Sequence, residues 1–296
     1  MSPGPSYSAE WIREGMARAQ YLTVPKVETV VQLALTLEKP LLIEGPPGAG
    51  KTEIGKVLAT MLDTELIRLQ CYEGLDEARA LYEWNYRKQL LRIQVDREQD
   101  RQWAEVAHDI FGPEYLLERP LLRALTAPRK VVLLIDEIDK ADEEFEAFLL
   151  EVLSDYQVSI PEMGTVRARY HPVVVLTSNR ARDLSEALKR RCLYLYLDFP
   201  GVEVERRILD LKVPELDKGL RAQVAKFVHE LRKLDLKKAP SIAEMLDWAR
   251  ALRALEIREL DAPGVRNTLN VLLKSDDDLT RAASKVSHLL NAAARA

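Results

Sequence analysis

Eight consecutive residues, Gly45, Pro46, Pro47, Gly48, Ala49, Gly50, Lys51 and Thr52, have the types and spacing to hold a triphosphate. They match G-x-x-x-x-G-K-[ST], in which glycines let the chain curl until successive N–H groups converge on phosphate oxygens. Lys51 is then placed to reach the β and γ phosphates, and the Thr52 hydroxyl to serve Mg²⁺. Glycines and prolines alone make a turn, so the context decides. The run follows an apolar strand, "LLIE" at 41–44, and precedes a helix whose Ile54, Val57, Leu58, Met61 and Leu62 share one face. Such a helix points its positive end at the phosphates.

A second group of chemical residues closes the stretch "VVLLIDEIDKAD" at 131–142. Side chains alternate along a strand, so Asp136 and Glu137 are expected on opposite sides of its end, free to take different tasks. Asp136 is assigned to orienting Mg²⁺ through its water shell, and Glu137 to polarising the attacking water. "DKAD" at 139–142 has the look of the guanine-reading signature N/T-K-x-D, but it follows the metal-binding strand at once. It reads as the start of a helix, and the expected nucleotide is ATP.

These residues need a sheet to bring them together. From 25 to 200 the chain alternates short apolar runs with amphipathic stretches, which predicts an α/β fold with a parallel sheet between helices. The five candidate strands are "PLLIE" (40–44), "LIRLQ" (66–70), "VVLLID" (131–136), "VVVLTS" (173–178) and "CLYLYLD" (192–198). Beyond "DFPG" at 198–201 the chain turns to Leu, Ala, Arg and Glu at helical spacing, with Ser241 and Glu244 placed as a capping box. Two domains follow: an α/β nucleotide-binding core over 1–200 and a small all-helical lid over 201–296, divided near Pro200 and Gly201.

Composition narrows the class. The chain has 296 residues, 47% of them apolar, and a formal charge of −4. That balance argues against a protein whose main work is neutralising nucleic-acid backbones. No window approaches the apolar length of a membrane span and the start lacks a signal-like core, so a cytoplasmic protein is expected. Cys71 and Cys192 are far apart and read as reduced structural residues; His108, His171, His229 and His288 are equally scattered and suggest no metal site.

The phosphate loop, "LLIDEID", "VVVLTSN" and "LSEALKRRCLYLYLDFP", with helices behind them, make the chain similar to AAA+ ATPases over nearly its whole length. That resemblance implies that Asn179 is the sensor-one residue, touching the γ phosphate or the lytic water. It places Arg190 and Arg191 in the arginine-finger region, Arg191 matching more closely, and Tyr21 and Leu22 where such proteins hold adenine. It also implies a homo-oligomeric ring, expected as a hexamer.

Two inserted segments refine the likeness. In the first, starting "CYEGLDEARALYEWNYRKQLLRIQ", "ALYEWNY" and "QLLRIQ" read as short strands interrupting a helix. In the second, "VSIPEMGTVRARYHP" reads as a β-hairpin after a helix that buries Phe145, Phe148, Leu149 and Val152. A helix-two insert with a hairpin ahead of sensor one resembles the MoxR branch, and the wording of the first insert resembles its CoxD group. The resemblance implies a chaperone that matures or activates a client complex together with a von Willebrand factor A domain partner. The implied client is a molybdenum metalloenzyme of the carbon monoxide dehydrogenase kind. The hairpin tip, Pro161 to Gly164, is a candidate client contact. One departure stands out: MoxR relatives carry a sensor-two arginine in a Ser-Pro-Arg setting, whereas "APSIAEMLDWARAL" stands here. Arg250 lies too deep in that helix to take the role, and sensor two is left unassigned.

Two other classes share such a core. A DNA-associated motor or loader would want a basic hairpin; this one offers Arg167 and Arg169 but Glu162 at the tip. A nucleotide-dependent scaffold would have no use for both Glu137 and Asn179.

Overall fold

A computed structural model describes residues 7–97, 111–161 and 164–294; His108 and Glu162 lie outside these ranges. Nine strands form among the described residues: β1 (Leu41–Glu44), β2 (Leu66–Gln70), β3 (Tyr82–Trp84), β4 (Leu116–Glu118), β5 (Val132–Asp136), β6 (Gln157–Ile160), β7 (Gly164–Arg167), β8 (Val173–Ser178) and β9 (Leu193–Tyr196). Five of them make one sheet in the order β2-β5-β8-β1-β9, and every pair is parallel. The α/β expectation and all five sequence-read strands are therefore borne out. Parallel pairing brings the carboxyl ends of β1, β5 and β8 to the same edge, with β8 hydrogen-bonded to both neighbours.

The apolar runs become strands because both faces of the sheet are covered. Leu133 and Ile135 of β5, with Leu42, Leu69, Val174 and Leu176, face a core shared with helices Pro120–Thr126 and Glu143–Asp155. Leu134 faces the other way, against helix Lys51–Met61. A Cβ on Gly55 of that helix would come within 3.2 Å of Leu134 Cδ1, so a glycine lets helix and sheet approach. Ile54, Val57 and Leu58 are buried as expected, while Met61 and Leu62 are half-buried, Met61 lying against Gly15. In helix Glu143–Asp155, Phe145, Leu149 and Val152 are buried, and Phe148 packs at the core's margin.

The second insert is the hairpin read from sequence, β6 pairing antiparallel with β7 from Gln157↔Arg167 to Ile160↔Gly164. The first insert requires a correction. Tyr82–Trp84 is a strand, but "QLLRIQ" lies inside helix Tyr86–Arg97, and the partner of β3 is β4. Asn85 starts that helix: its side-chain oxygen accepts the Lys88 N–H at 3.1 Å, and its carbonyl accepts the Gln89 N–H at 3.0 Å. A cap of this kind outweighs a short apolar run, whose periodicity cannot tell strand from helix.

The chain divides into two compact units, the first of Met1–Ala19, Thr23–Glu44 and Lys51–Tyr196, the second of Gln20–Leu22, Gly45–Gly50 and Leu197–Ala296. In the second, helices Val202–Lys212, Lys218–Arg232, Ile242–Ala254, Ala262–Leu272 and Asp276–Ala294 pack around Phe227 and Trp248. The two rings lie 5.2 Å apart, and the indole N–H donates to Thr268 Oγ1 at 2.8 Å. Arg232 joins the unit's start to its middle: it pairs with the fully buried Glu205, covers the Phe199 ring at 4.2 Å and donates to the Pro240 carbonyl at 2.7 Å. The capping box is present, with Ser241 and Glu244 each accepting the other's backbone N–H.

Trp248→Ala removes the largest buried side chain of the helical unit together with its hydrogen bond. We expect a loss of about 3–5 kcal/mol, measured by urea unfolding followed by circular dichroism. A pH effect follows from the cysteines, which are free. Burial pushes the Cys71 thiol from its ordinary 9.0 to about 12. Folding thus raises this pKa, so its contribution to stability is complete below pH 9 and is lost as pH rises toward 12. Thiol labelling at pH 8 should be slow in the native protein and fast in urea.

Candidate nucleotide site

The phosphate loop leaves β1 and enters helix Lys51–Met61, as its motif requires. Its curl depends on glycine at Gly48, where φ is +79° and a Cβ would lie 2.1 Å from that of Ser241. The Gly48 carbonyl accepts the Ile242 N–H at 3.3 Å, so the loop's turn rests on the start of helix Ile242–Ala254. Gly45 meets another close approach, its missing Cβ standing 1.9 Å from the Leu197 carbonyl oxygen. Pro47 and Gly48 are exposed, Pro46 and Gly50 half-buried, and Ala49 buried, its N–H donating to the Pro46 carbonyl at 3.3 Å.

Lys51 is 6% exposed, and its ammonium donates to Asn179 Oδ1 at 2.8 Å. Burial holds its pKa below the usual lysine value, although Asp139, Asp136 and Glu137 pull the other way. An ammonium with incomplete hydration beside three carboxylates is suited to a polyanion. Asn179 in turn donates through Nδ2 to Glu137 Oε1 at 3.3 Å. Its own N–H and that of Ala181 donate to Asp139 Oδ2 at 3.1 and 2.9 Å, which fixes the turn after β8.

Asp136, 2% exposed, receives a donor on every side. Thr52 and Thr177 donate their hydroxyls to Oδ1 at 2.9 and 2.5 Å, and Arg68 donates Nε and Nη2 to Oδ2 at 3.1 and 2.5 Å. Glu137 departs from the simple alternation expected at a strand end. Its φ is +58°, the strand has already ended, and its N–H donates to Thr177 Oγ1 at 2.9 Å. Glu137 Oε2 accepts Gln70 Nε2 at 2.9 Å and Lys140 Nζ at 2.5 Å. Lys51, Thr52, Asp136, Glu137 and Asn179 are thus joined in one network.

The remaining assignments lie elsewhere. Arg190 and Arg191 are exposed at the end of helix Glu186–Arg191, where Arg191 Nε donates to Ser154 Oγ at 2.8 Å. Tyr21 and Leu22 are half-buried and group with Gly45–Gly50 in the second unit. Arg250 pairs with Asp247 on the helix surface. Sequence reasoning does not assign Arg68, Gln70, Thr177, Asp139 or Ser241 to the site, and Ser241 carries a signal only through its capping box.

The donor set fits a magnesium-bound nucleotide. Open space surrounds the missing Cβ of Gly50 at φ +92°, a buried ammonium follows, and a hydroxyl and a carboxylate stand 2.9 Å apart at a strand end. Among the described residues no group of three or more His, Cys, Asp or Glu is arranged to hold an ion unaided. Mg²⁺ is suited to that poverty, since it commonly takes one or two carboxylates together with substrate phosphates.

The chain is similar to several known proteins. The uncharacterised protein SH1500 of Staphylococcus haemolyticus is 22% identical over 93% of this chain and 100% of its own length. RuvB of Thermotoga petrophila, a Holliday junction branch migration complex subunit, is 22% identical over 81% of this chain; the match spans 66% of RuvB. A solved variant of Thermotoga maritima RuvB superposes with a TM-score of 0.52 at 15% identity, covering 94% of this chain and 81% of that one. Among the described residues no helix is long and apolar enough to cross a membrane. The model of the AAA domain, dynein-related subfamily, matches residues 40–192, and the chain belongs to that family of nucleotide-binding ATPase domains.

Proposed function

We propose that this protein binds ATP with Mg²⁺ and hydrolyses it at the interfaces of a homo-oligomeric ring, using the work to remodel a client protein. The observation that carries the reading is the network at the ends of β5 and β8, which links the phosphate-loop lysine and threonine to Asp136, Glu137 and Asn179. Residues 1–200 form the nucleotide-binding core in this reading, and 201–296 the lid. The loop amides from Gly45 to Gly50 and Lys51 bind the phosphates; Thr52 and Asp136 hold the metal. Mg²⁺, when bound, neutralises charge on the phosphate oxygens. Glu137 takes the proton from a water that it and Asn179 orient, and Tyr21 and Leu22 pack on adenine. Arg191, with Arg190 beside it, is exposed and so available to a neighbouring subunit, where a guanidinium can stabilise the transferring phosphoryl.

The client role is that of a MoxR-type chaperone of the CoxD kind, supported by the positions of the two inserts. It works in the cytoplasm with a von Willebrand factor A domain partner and matures a molybdenum metalloenzyme of the carbon monoxide dehydrogenase kind. The hairpin tip from Pro161 to Gly164 is its contact with the client. A second reading, a DNA-associated motor, is favoured by the RuvB relatives. It is opposed by the formal charge of −4. DNA that raises turnover severalfold would favour the motor; turnover indifferent to DNA and raised by a partner protein would favour the chaperone.

Two experiments test the site. Lys51→Ala should abolish retention of ATP, and Glu137→Gln should retain ATP while losing about 100-fold or more in turnover; wild-type turnover in Glu137→Gln would remove the catalytic assignment. In the other, specific activity should rise with protein concentration in wild type and stay low in Arg191→Ala. Dilution-independent activity, unaltered by that substitution, would exclude shared sites.

A further inference from the structure

Asp136 has room for four hydrogen bonds as an ionised carboxylate, and all four are made. Its Oδ1 takes the hydroxyls of Thr52 and Thr177; its Oδ2 takes two N–H groups of Arg68, at 3.1 and 2.5 Å. The four donors are not equally replaceable. Thr52 lies on the first turn after the phosphate loop and can rotate its hydroxyl to offer an oxygen lone pair. Thr177 is held from behind by the Glu137 N–H at 2.9 Å and remains on its strand. Arg68 is the charged donor, of the same sign as a metal ion. Its side chain is 50% exposed, whereas that of Asp136 is 2% exposed.

We infer that Arg68 is the resident counter-cation of Asp136 in the metal-free protein and competes with Mg²⁺ for that carboxylate. This rests on the nucleotide-site reading above and adds to it a residue that sets how much metal the site requires. Position supports it. Arg68 lies on β2, next to β5, and its neighbour two residues on, Gln70, stands in register with Asp136. The fork therefore reaches along the strand to the carboxylate, and Gln70 Oε1 accepts its Nη2 as well. Without Arg68 the ionised carboxylate would be buried and short of a cation, which is costly in the absence of metal. With metal bound, Arg68 can swing into water, because half of it is already there. The pair thus keeps the Asp136 carboxylate oriented while the site waits, and each binding event must displace it.

The test reads metal dependence, not turnover. The full chain is titrated with Mg²⁺ in the presence of a fluorescent, non-hydrolysable β,γ-imido analogue of ATP, and the half-saturating Mg²⁺ is compared among variants. Arg68→Ala should lower it by about fivefold or more, as expected for loss of a like charge in contact with the ligand. Arg68→Lys, which keeps the charge without the fork, should fall between. Arg123→Ala removes a surface cation paired with Glu65 and should leave the curve in place. An unchanged or higher Mg²⁺ requirement in Arg68→Ala, or an equal shift in Arg123→Ala, overturns the inference. If Arg68→Ala does not fold by circular dichroism, Arg68→Lys decides by the same direction of shift. Failure of the wild type to retain the analogue at any Mg²⁺ removes the nucleotide site itself. Retention with superimposed curves removes only the role of Arg68.

Discussion

A charged carboxylate sits almost wholly out of water at the end of a strand that is buried throughout, and the arrangement of the core follows from satisfying it. An unpaired ion in that position would cost several kcal/mol. Asp136 avoids this with donors from three separate elements: Thr52 from the helix after the phosphate loop, Thr177 from β8 and Arg68 from β2. Those donors reach it only if β5 lies between β2 and β8, and if the start of helix Lys51–Met61 stands at the same edge. The observed strand order meets the first condition, and the Thr52–Asp136 hydrogen bond shows the second to be met.

The second tier of the network sits at the end of β8. Thr177 on the strand serves Asp136, and Asn179, just past its end, links Lys51 to Glu137. Asp139 then holds the turn by accepting the N–H groups of Asn179 and Ala181. The strand end and the turn after it supply two differently placed polar groups without a break in the apolar run of β8. Glu137 reaches the same network by other means. Its left-handed backbone lets Thr177 accept its N–H, while its carboxylate collects Asn179, Gln70 and Lys140. Two neighbours in sequence thereby have different environments, one buried among fixed donors and one half-exposed.

What was legible in the sequence was whatever depends on local order. The phosphate loop, its flanking strand and helix, the acidic strand end, the hairpin and the Ser241 capping box each occupy a few consecutive residues, and their physics is complete within them. The inner strands β1, β5 and β8 were readable because burial on both faces leaves continuous apolar runs, and the edge strands β2 and β9 because apolar residues still recur along them. Arg68, Gln70 and Asp139 carried no such signal. Each is an ordinary polar residue until the strand order places it beside a partner far along the chain, as Arg68 is beside Asp136. The insert failed for a related reason. "QLLRIQ" has the composition of a short strand, and the cap at Asn85 that makes it helical stands outside the run.

The start of helix Ile242–Ala254 and the phosphate loop constrain each other. Ser241 and Ile242, at the start of that helix, meet Gly48 through Cβ and backbone. A side chain on residue 48 would collide with Ser241, and the Ile242 N–H has its acceptor in the Gly48 carbonyl. A backbone N–H on a capped helix moves only with the helix. The Ser241–Glu244 box makes that helix start stiff, since each residue's backbone is bound by the other's side chain. The curl of the loop at Gly48 and the position of helix Ile242–Ala254 are therefore one coordinate: a change in either requires the hydrogen bond to break or both to move.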